Sequence, residues 1–330
     1  MRLKKGIKHF IEICKMTQDQ LKVYLPEWLK CNGYKPIVAD GYIYAEGSAG
    51  VVVTAHMDTV HPTPVQRVDI TNDGTATIIS SPQGIGGDDR CGVYMIQRLI
   101  AERGLRPTVI FCEDEEVGGV GSDLLCRNKT MLTMLGAEKF FIELDRAHAD
   151  DLVYYYDNNK EFHEWCAKVT GWKEDHGSFS DISNFCPETG IAGVNLSCGY
   201  YKAHTTDEYV VWEEMIAAID AAEKLIKAAA DVEQFEYIEY KPVYTSLYSN
   251  KRSSYEHWYY DDVYIVEYID ENLENQEEIY EAMSRIEAIG YWAEDHPTLP
   301  YGNVLQCYLD TASDDDYWSW YRDKKRMGLM

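Results

Sequence analysis

Val51-Val52-Val53-Thr54-Ala55-His56-Met57-Asp58 is a β-branched run that ends in an imidazole and a carboxylate. Two further runs share the design: Thr108-Val109-Ile110-Phe111-Cys112, followed shortly by Glu115-Glu116, and Phe140-Phe141-Ile142-Glu143-Leu144, followed by Asp145. Each is short and almost continuously apolar, as expected of a strand buried on both faces. Helical patterning lies between the first two, so the expected fold class is α/β, a mostly parallel sheet flanked by helices. Ligands of such open sheets gather beyond the carboxyl ends of the strands. All three runs deliver a potential ligand there.

His nitrogen and carboxylate oxygen are donors that zinc accepts, and a catalytic zinc keeps a position open for water or substrate. Two such ions about 3.5–4 Å apart can share a carboxylate and a hydroxide. Asp88, delivered by the bent Gly84-Ile85-Gly86-Gly87 backbone, is the candidate bridge. Residues two apart on an extended chain point to one side, so Asp58 can hold the far N–H of His56 and fix its tautomer. Adjacent Glu115 and Glu116 suit one metal-bound carboxylate and one free general base. His204, in Ala203-His204-Thr205, offers the second imidazole. The glycine run is not a phosphate loop, which would require Gly-Lys-Ser/Thr.

Thr54-Ala55-His56-Met57-Asp58-Thr59-Val60, Gly84-Ile85-Gly86-Gly87-Asp88-Asp89-Arg90-Cys91-Gly92, Glu113-Asp114-Glu115-Glu116-Val117-Gly118, Glu143-Leu144-Asp145-Arg146 and Ala203-His204-Thr205 occur in the order found in a known group. Across roughly residues 40–230 the chain resembles the co-catalytic dizinc exopeptidase superfamily, which includes peptidase T, carboxypeptidase G and bacterial leucine aminopeptidase. The resemblance implies that His56 and Asp145 hold one zinc, that Glu116 and His204 hold the other, and that Asp88 bridges. It further implies that Glu115 is the general base, acting on a metal-bridging hydroxide, with Asp58 behind His56. Two divalent metal ions are implied as cofactors, with Zn2+ expected and Co2+ or Mn2+ as alternatives.

Peptidase T and carboxypeptidase G carry a lid and dimerisation domain between the third carboxylate ligand and the last His. Here Asp145 and His204 are 59 positions apart (145 to 204). That space reads as a strand at 152–156, a helix at about 161–169, a polar loop and another strand. The expected architecture is therefore a lidless catalytic domain, and an oxyanion donor must come from elsewhere. Tyr200 and Tyr201 are candidates, since a phenol can stabilise a developing oxyanion; packing is the alternative. Asp181, in Gly177-Ser178-Phe179-Ser180-Asp181, either orients a ligand, receives a substrate amine or caps a turn. Arg146 either binds a substrate carboxylate or forms a structural ion pair.

The 330 residues suffice for one large or two modest domains. Nine scattered cysteines without a Cys-X-X-Cys indicate neither a disulfide framework nor a thiolate zinc site. The basic start Met1-Arg2-Leu3-Lys4-Lys5-Gly6 is followed by Lys8, His9, Glu12 and Lys15 rather than an apolar core, so no signal peptide is read and a cytoplasmic protein is expected. No run approaches the roughly 18 apolar residues of a membrane helix. A formal net charge of −25 argues against nucleic acid as a partner. Expected partners are a peptide or N-acyl amino acid substrate, with a homo-oligomer left open.

Residues 7–32 read as two helices, the second opening on a capping box at Thr17-Gln18-Asp19-Gln20. Hairpin-like strands at 34–46, an amphipathic helix from Asp89 to about Glu102 and an Ala-rich helix from Trp212 to about Ala230 complete the expected catalytic domain, 1–232. From Asp231 onward the chain holds 15 of its 26 tyrosines and 4 of its 8 tryptophans among many acids. Segments so aromatic are not expected to be disordered, and 233–330 is expected to be a small C-terminal domain or extension with a strand at 263–266 and a helix at 275–289. The sequence thus points to a zinc-dependent exopeptidase, an aminopeptidase for short peptides. The alternatives are a deacylase or carboxypeptidase-type amide hydrolase of the same fold, or a catalytically inactive binding module.

Overall fold

The computed structural model describes residues 2–72, 74–177, 179–239, 262–269, 275–282, 296 and 304–309. The chain divides into two compact units, Met1–Val243 and Tyr244–Met330.

The first unit begins with helices α1 (Arg2–Cys14) and α2 (Gln18–Cys31). The expected capping box is present: Gln20 N donates to Thr17 Oγ1 and Thr17 N to Gln20 Oε1. Short strands β1 (Ile37–Val38) and β2 (Tyr42–Ala45) pair antiparallel and lead to β3 (Val52–His56). The hairpin β4 (Asp69–Asn72) and β5 (Thr77–Ser80) precedes α3 (Gly87–Ala101), and β6 (Thr108–Cys112) follows. Then come α4 (Val120–Cys126), α5 (Lys129–Leu135), β7 (Phe141–Arg146), β8 (Asp151–Val153) and α6 (Lys160–Thr170). The unit continues with β9 (Lys173–Glu174), α7 (Ile182–Thr189), β10 (Gly193–Ser197), β11 (Tyr200–Tyr201), β12 (Tyr209–Val211) and α8 (Trp212–Ala228).

The main sheet has the order β1-β2-β6-β3-β7-β10-β8-β9, and its four central strands, β6-β3-β7-β10, run parallel. Alternate side chains enter two cores. Val53, Val109, Phe111, Ile142 and Val194 face the layer of α1, α3, α6 and α8 with Phe10, Tyr94, Phe162 and Trp212. Val52, Ile110 and Phe141 face Leu125, Met131 and Phe185 of α4, α5 and α7. Each such side chain stabilises the fold by ~1.5–3 kcal/mol relative to exposure. The continuous burial of β3 and β6 is why neither shows polar alternation.

A smaller antiparallel sheet, β11-β12-β5-β4, stands beside the first. It matters for the site because the Gly84–Asp88 arm leaves β5, and the turn carrying His204 joins β11 to β12. Between Asp145 and His204 no domain is inserted among the described residues, as expected.

Three expectations need correction. The strand expected at 152–156 ends at Val153, because Tyr155 and Tyr156 adopt left-handed φ of 38° and 59°. The stretch read as polar loop contains β9 and α7; Ile182, Phe185 and Cys186 recur at helical spacing but cover only two turns. The helix expected at 275–289 is, over its described part, strand β14 (Asn275–Ala282). It pairs antiparallel along its whole length with β13 (Asp262–Ile269), whose other edge takes β15 (Val304–Leu309). Pairing with a strand-forming neighbour has overridden the helical preference of Gln276, Glu277 and Glu278. Residues 283–289 lie outside the described set. Among the described residues no helix is long and apolar enough to cross a membrane.

Candidate metal centre

The carboxyl ends of the parallel strands converge on one group of side chains. His56 closes β3 and is fully buried. Its Nδ1 lies 3.0 Å from Asp58 Oδ1, and its Nε2 lies 3.0 Å from Asp88 Oδ1 and 3.4 Å from Asp145 Oδ1. His204 Nε2 lies 3.2 Å from the other Asp88 oxygen, Oδ2, and 3.0 Å from Glu116 Oε2. Asp88 therefore offers one oxygen to each imidazole. Glu115 Oε2 stands back from this set, 3.9 Å from His56 Nε2.

Local folding explains the placement. Asp88 (φ −83°, ψ 102°) and Asp89 (φ −118°, ψ 46°) are non-helical at the start of α3, and a cis peptide bond joins them. Gly86 before them takes a left-handed φ of 64°. Gly87 must lack a side chain, because a Cβ would come 2.8 Å from Tyr200 and 2.9 Å from Val210. Asp89 is near enough to His56 and Asp145 to be counted with them as a ligand group. Both of its oxygens are committed, however: Oδ2 accepts from His56 N at 3.2 Å and Oδ1 from Gly92 N at 2.8 Å. It is better understood as holding the kinked first turn of α3 to the end of β3.

Asp58 performs two tasks. Besides His56, its Oδ1 accepts from Glu115 N at 3.1 Å and its Oδ2 from Glu116 N at 2.9 Å, so one carboxylate aligns the imidazole and both glutamates. Asp145 is braced by Ser180 Oγ, which donates to Oδ2 at 2.7 Å, by Asn195 at its backbone and by Tyr200.

Crowding carboxylates away from water moves their titrations. Burial pushes Glu115 up to about 10 and, with the charge of Asp88, Asp145 up to about 7. Burial alone would lower His56, but Asp145, Asp58 and Asp88 outweigh it and raise its pKa well above the ordinary value. Bonds to Asp88 and Glu116 raise His204 to about 11. Asp88 resists the effect of burial and falls below the usual carboxylate range because both imidazoles bond to it. The imidazoles and carboxylates thus shift one another's titration because they share one buried nest. Glu116 Oε1 is buried without a hydrogen-bond partner, an unused acceptor at the edge of the nest.

The remaining candidates are placed differently. The Tyr200 hydroxyl donates to the Asp145 carbonyl at 3.2 Å and lies 3.3 Å from its Oδ1, so it braces a ligand rather than facing the opening. Tyr201 donates to Glu214 at 2.7 Å, and its ring stacks on Tyr209. Arg146 pairs with Asp175 at 2.7 Å, the structural alternative. Asp181 occupies the N-cap position of α7 without a capping bond, fully buried, with Ser122 and Cys112 beside its carboxylate. Thiols contribute nothing here: burial pushes Cys91, Cys112 and Cys198 well above their ordinary pKa.

Sequence reasoning missed several supports. Buried Arg90 donates to the carbonyls of Met57, Asp58 and Met16. Gln18 and Asp114 exchange two hydrogen bonds, and Lys22 pairs with Glu113. Buried Glu208 holds the Asp88 arm. Its only signal was an acid directly before the β-branched run Tyr209-Val210-Val211.

No family model and no curated protein matches the sequence. Solved structures do. Aminopeptidase PepT from Bacillus cereus superimposes with a TM-score of 0.55 at 15% identity over 69% of this chain and 98% of that one. A tripeptidase from Staphylococcus aureus gives 0.56 at 15% over 69% and 99%. An aminopeptidase from the archaeon Desulfurococcus kamchatkensis gives 0.51 at 14% over 66% and 94%. What the chain shares with these peptidases is the fold.

Proposed function

We propose that this chain is a metallopeptidase using two divalent cations, specifically an aminopeptidase acting on short peptides. The observation that carries the reading is Asp88, whose two oxygens face two imidazoles at 3.0 and 3.2 Å, with Asp145 flanking one and Glu116 the other. His56, Asp145 and Asp88 would hold one ion, and Glu116, His204 and Asp88 the other. The donors are nitrogen and oxygen only, which fits zinc and also cobalt or manganese. When bound, the cations supply Lewis-acid polarisation of the scissile carbonyl and make water acidic.

The chain's own residues supply the rest. Glu115 lies outside the tight donor set, so with the cations bound its carboxylate would be free to take the proton of the attacking water and pass it to the leaving amine. Asp58 holds the Glu115 backbone and His56 together, fixing the base relative to the nest. His204, with its side chain 56% exposed, marks the side from which substrate enters. Pairing of Arg146 with Asp175 engages the residue that the sequence offered as a receptor for a substrate carboxylate, which favours recognition of a free amine in this acidic protein.

Digestion of a peptide library with and without chelator, read by mass spectrometry, tests reaction and end specificity together. The expected result is chelator-sensitive trimming from free amino termini. Cleavage confined to acylated amino acids would instead establish the deacylase reading, and absence of bound metal the binding-module reading. Glu115→Gln should retain metal and lower kcat by about 10²–10⁴-fold; turnover close to wild type would remove Glu115 from the role of base.

A further inference from the structure

Glu208 stands four residues beyond His204, and its carboxylate is fully buried. Three groups share its two oxygens. Oε1 accepts from Asp88 N at 3.0 Å, Oε2 accepts from Gly86 N at 2.8 Å, and the same Oε2 lies 2.8 Å from His61 Nε2. The fit leaves no slack, since a Cβ on Gly87 would come 3.2 Å from Oε1.

We propose that Glu208 is a positioning residue that sets the Asp88 carboxylate between the two cations by gripping the backbone beneath it. The inference rests on the two-cation reading given above. Asp88 lies in the first turn of a helix, where amide N–H groups lack an intrahelical acceptor, and its own φ and ψ are not helical. Nothing within α3 therefore fixes its direction, and an external acceptor does. An ionised carboxylate suits three converging donors because it only accepts. An amide in its place turns an NH2 toward at least one of them.

The grip also links the two ends of the site. Glu208 N donates to Thr205 O at 3.2 Å and Thr205 Oγ1 donates to Lys202 O at 2.8 Å, so His204 and Glu208 belong to one closed turn. Through Glu208, the turn that presents His204 is tied to the arm that presents Asp88. The separation of the two ligands is thereby held across two strands of the smaller sheet.

The test is titration of chelated wild-type protein and Glu208→Gln with Co2+, followed by calorimetry and visible absorption, alongside kcat and KM for one tripeptide. Wild type should take up two equivalents. Glu208→Gln should bind at least one of them about 10–100-fold more weakly, the range seen when groups behind metal ligands are lost. Its cobalt bands should shift, and kcat should fall with KM little changed. Equal affinity and an unchanged spectrum would reduce Glu208 to a packing residue, even if thermal stability dropped. Should Glu208→Gln not fold, Gly87→Ala crowds the same grip, its Cβ coming 3.2 Å from Glu208 Oε1, and wild-type cobalt binding in that variant would overturn the proposal. A wild-type protein that binds no cobalt would sink the two-cation reading and this role with it, a result distinguishable from failure of Glu208 alone.

Discussion

His56 and His204 close opposite ends of one carboxylate, Asp88, and the chain holds them in contrasting ways. His56 terminates a fully buried parallel strand, has no exposed surface, and has its far nitrogen fixed by Asp58. His204 sits in a turn at a left-handed φ of 63° with its side chain 56% exposed, and Asp88 and Glu116 are its recorded side-chain partners. One end is made by the core and the other by a turn on the surface. The lesson is that the nest is built asymmetrically: one imidazole is set against the sheet and the other on a surface turn, so any cation held between them would have a core-built end and an adaptable one.

Substituting each histidine should break or confirm that asymmetry most decisively. His56→Ala leaves the carboxylates of Asp58, Asp88 and Asp145 buried without their cation partner, a change that costs about 3–5 kcal/mol when one member of a buried pair is removed. It should abolish binding of both ions and lower the melting temperature sharply. His204→Ala removes an exposed side chain, so stability should move by less than about 1 kcal/mol and one metal equivalent should remain. Equal metal loss in the two variants, measured by elemental analysis after dialysis, would show that the ends are not distinct.

Asp58 tests the rigid end in a finer way. Its Oδ1 accepts from both His56 Nδ1 and Glu115 N, and its Oδ2 from Glu116 N. Asp58→Asn keeps the shape but must turn an NH2 toward one of these donors. Metal affinity or kcat should fall about 10–100-fold. Because Glu116 belongs to the adaptable end, the loss should reach both equivalents; loss confined to one would mean that Asp58 acts through a single ligand.

Removing metal exposes the same contrast through pH. In the chelated protein Asp145 is raised from 3.8 to about 7, Glu115 from 4.5 to about 10 and His204 from 6.5 to about 11. Raised groups bind more protons folded than unfolded, so the stability they contribute is present below their unfolded pKa and is lost as pH climbs through the folded one. Asp58 and Asp88 shift downward from 3.8, so their contribution changes only in acid. The chelated protein should therefore melt at progressively lower temperature from pH 6 to pH 9. Metal displaces those protons, so its stabilising effect should grow over the same interval. A chelated melting temperature that rises with pH would contradict the proton-filled nest.

What the sequence made legible follows from the range of the interactions. Val52 to His56, Thr108 to Cys112 and Phe141 to Asp145 announce themselves because strand, burial and a candidate ligand at or just beyond the end lie close together in sequence. Asp88 is legible through the glycines that bend the backbone around it. Arg90, Gln18 and Glu208 were not, because a charged or amide side chain in a polar stretch looks solvated until its partner, 32 to 147 residues away, is known. For Arg146 and Tyr201 the sequence left function and structure both open, and the structural side is what is seen, with Asp175 and Glu214 engaging them. Strand β14 was misread because its acids and glutamine prefer a helix, and only the neighbouring strand decides otherwise.

The smallest expected effect concerns the loop between the two ends. Asp114 has a left-handed φ of 57° immediately before Glu115, and Gln18 holds it by donating to Oδ1 at 2.8 Å and accepting from its N–H at 3.1 Å. Gln18→Ala removes both bonds at a net cost on the order of 1–2 kcal/mol. Glu115 itself remains held by Asp58, so the base should lose alignment only slightly. The expected outcome is a melting temperature lower by a few degrees and a kcat reduced by a small factor, with metal content unchanged. If kcat instead fell as far as in Asp58→Asn, the α2 end would be as much a determinant of the base as the strand edge, and the division into a core-built and a surface-built end would need a third member, the helix that grips the loop between them.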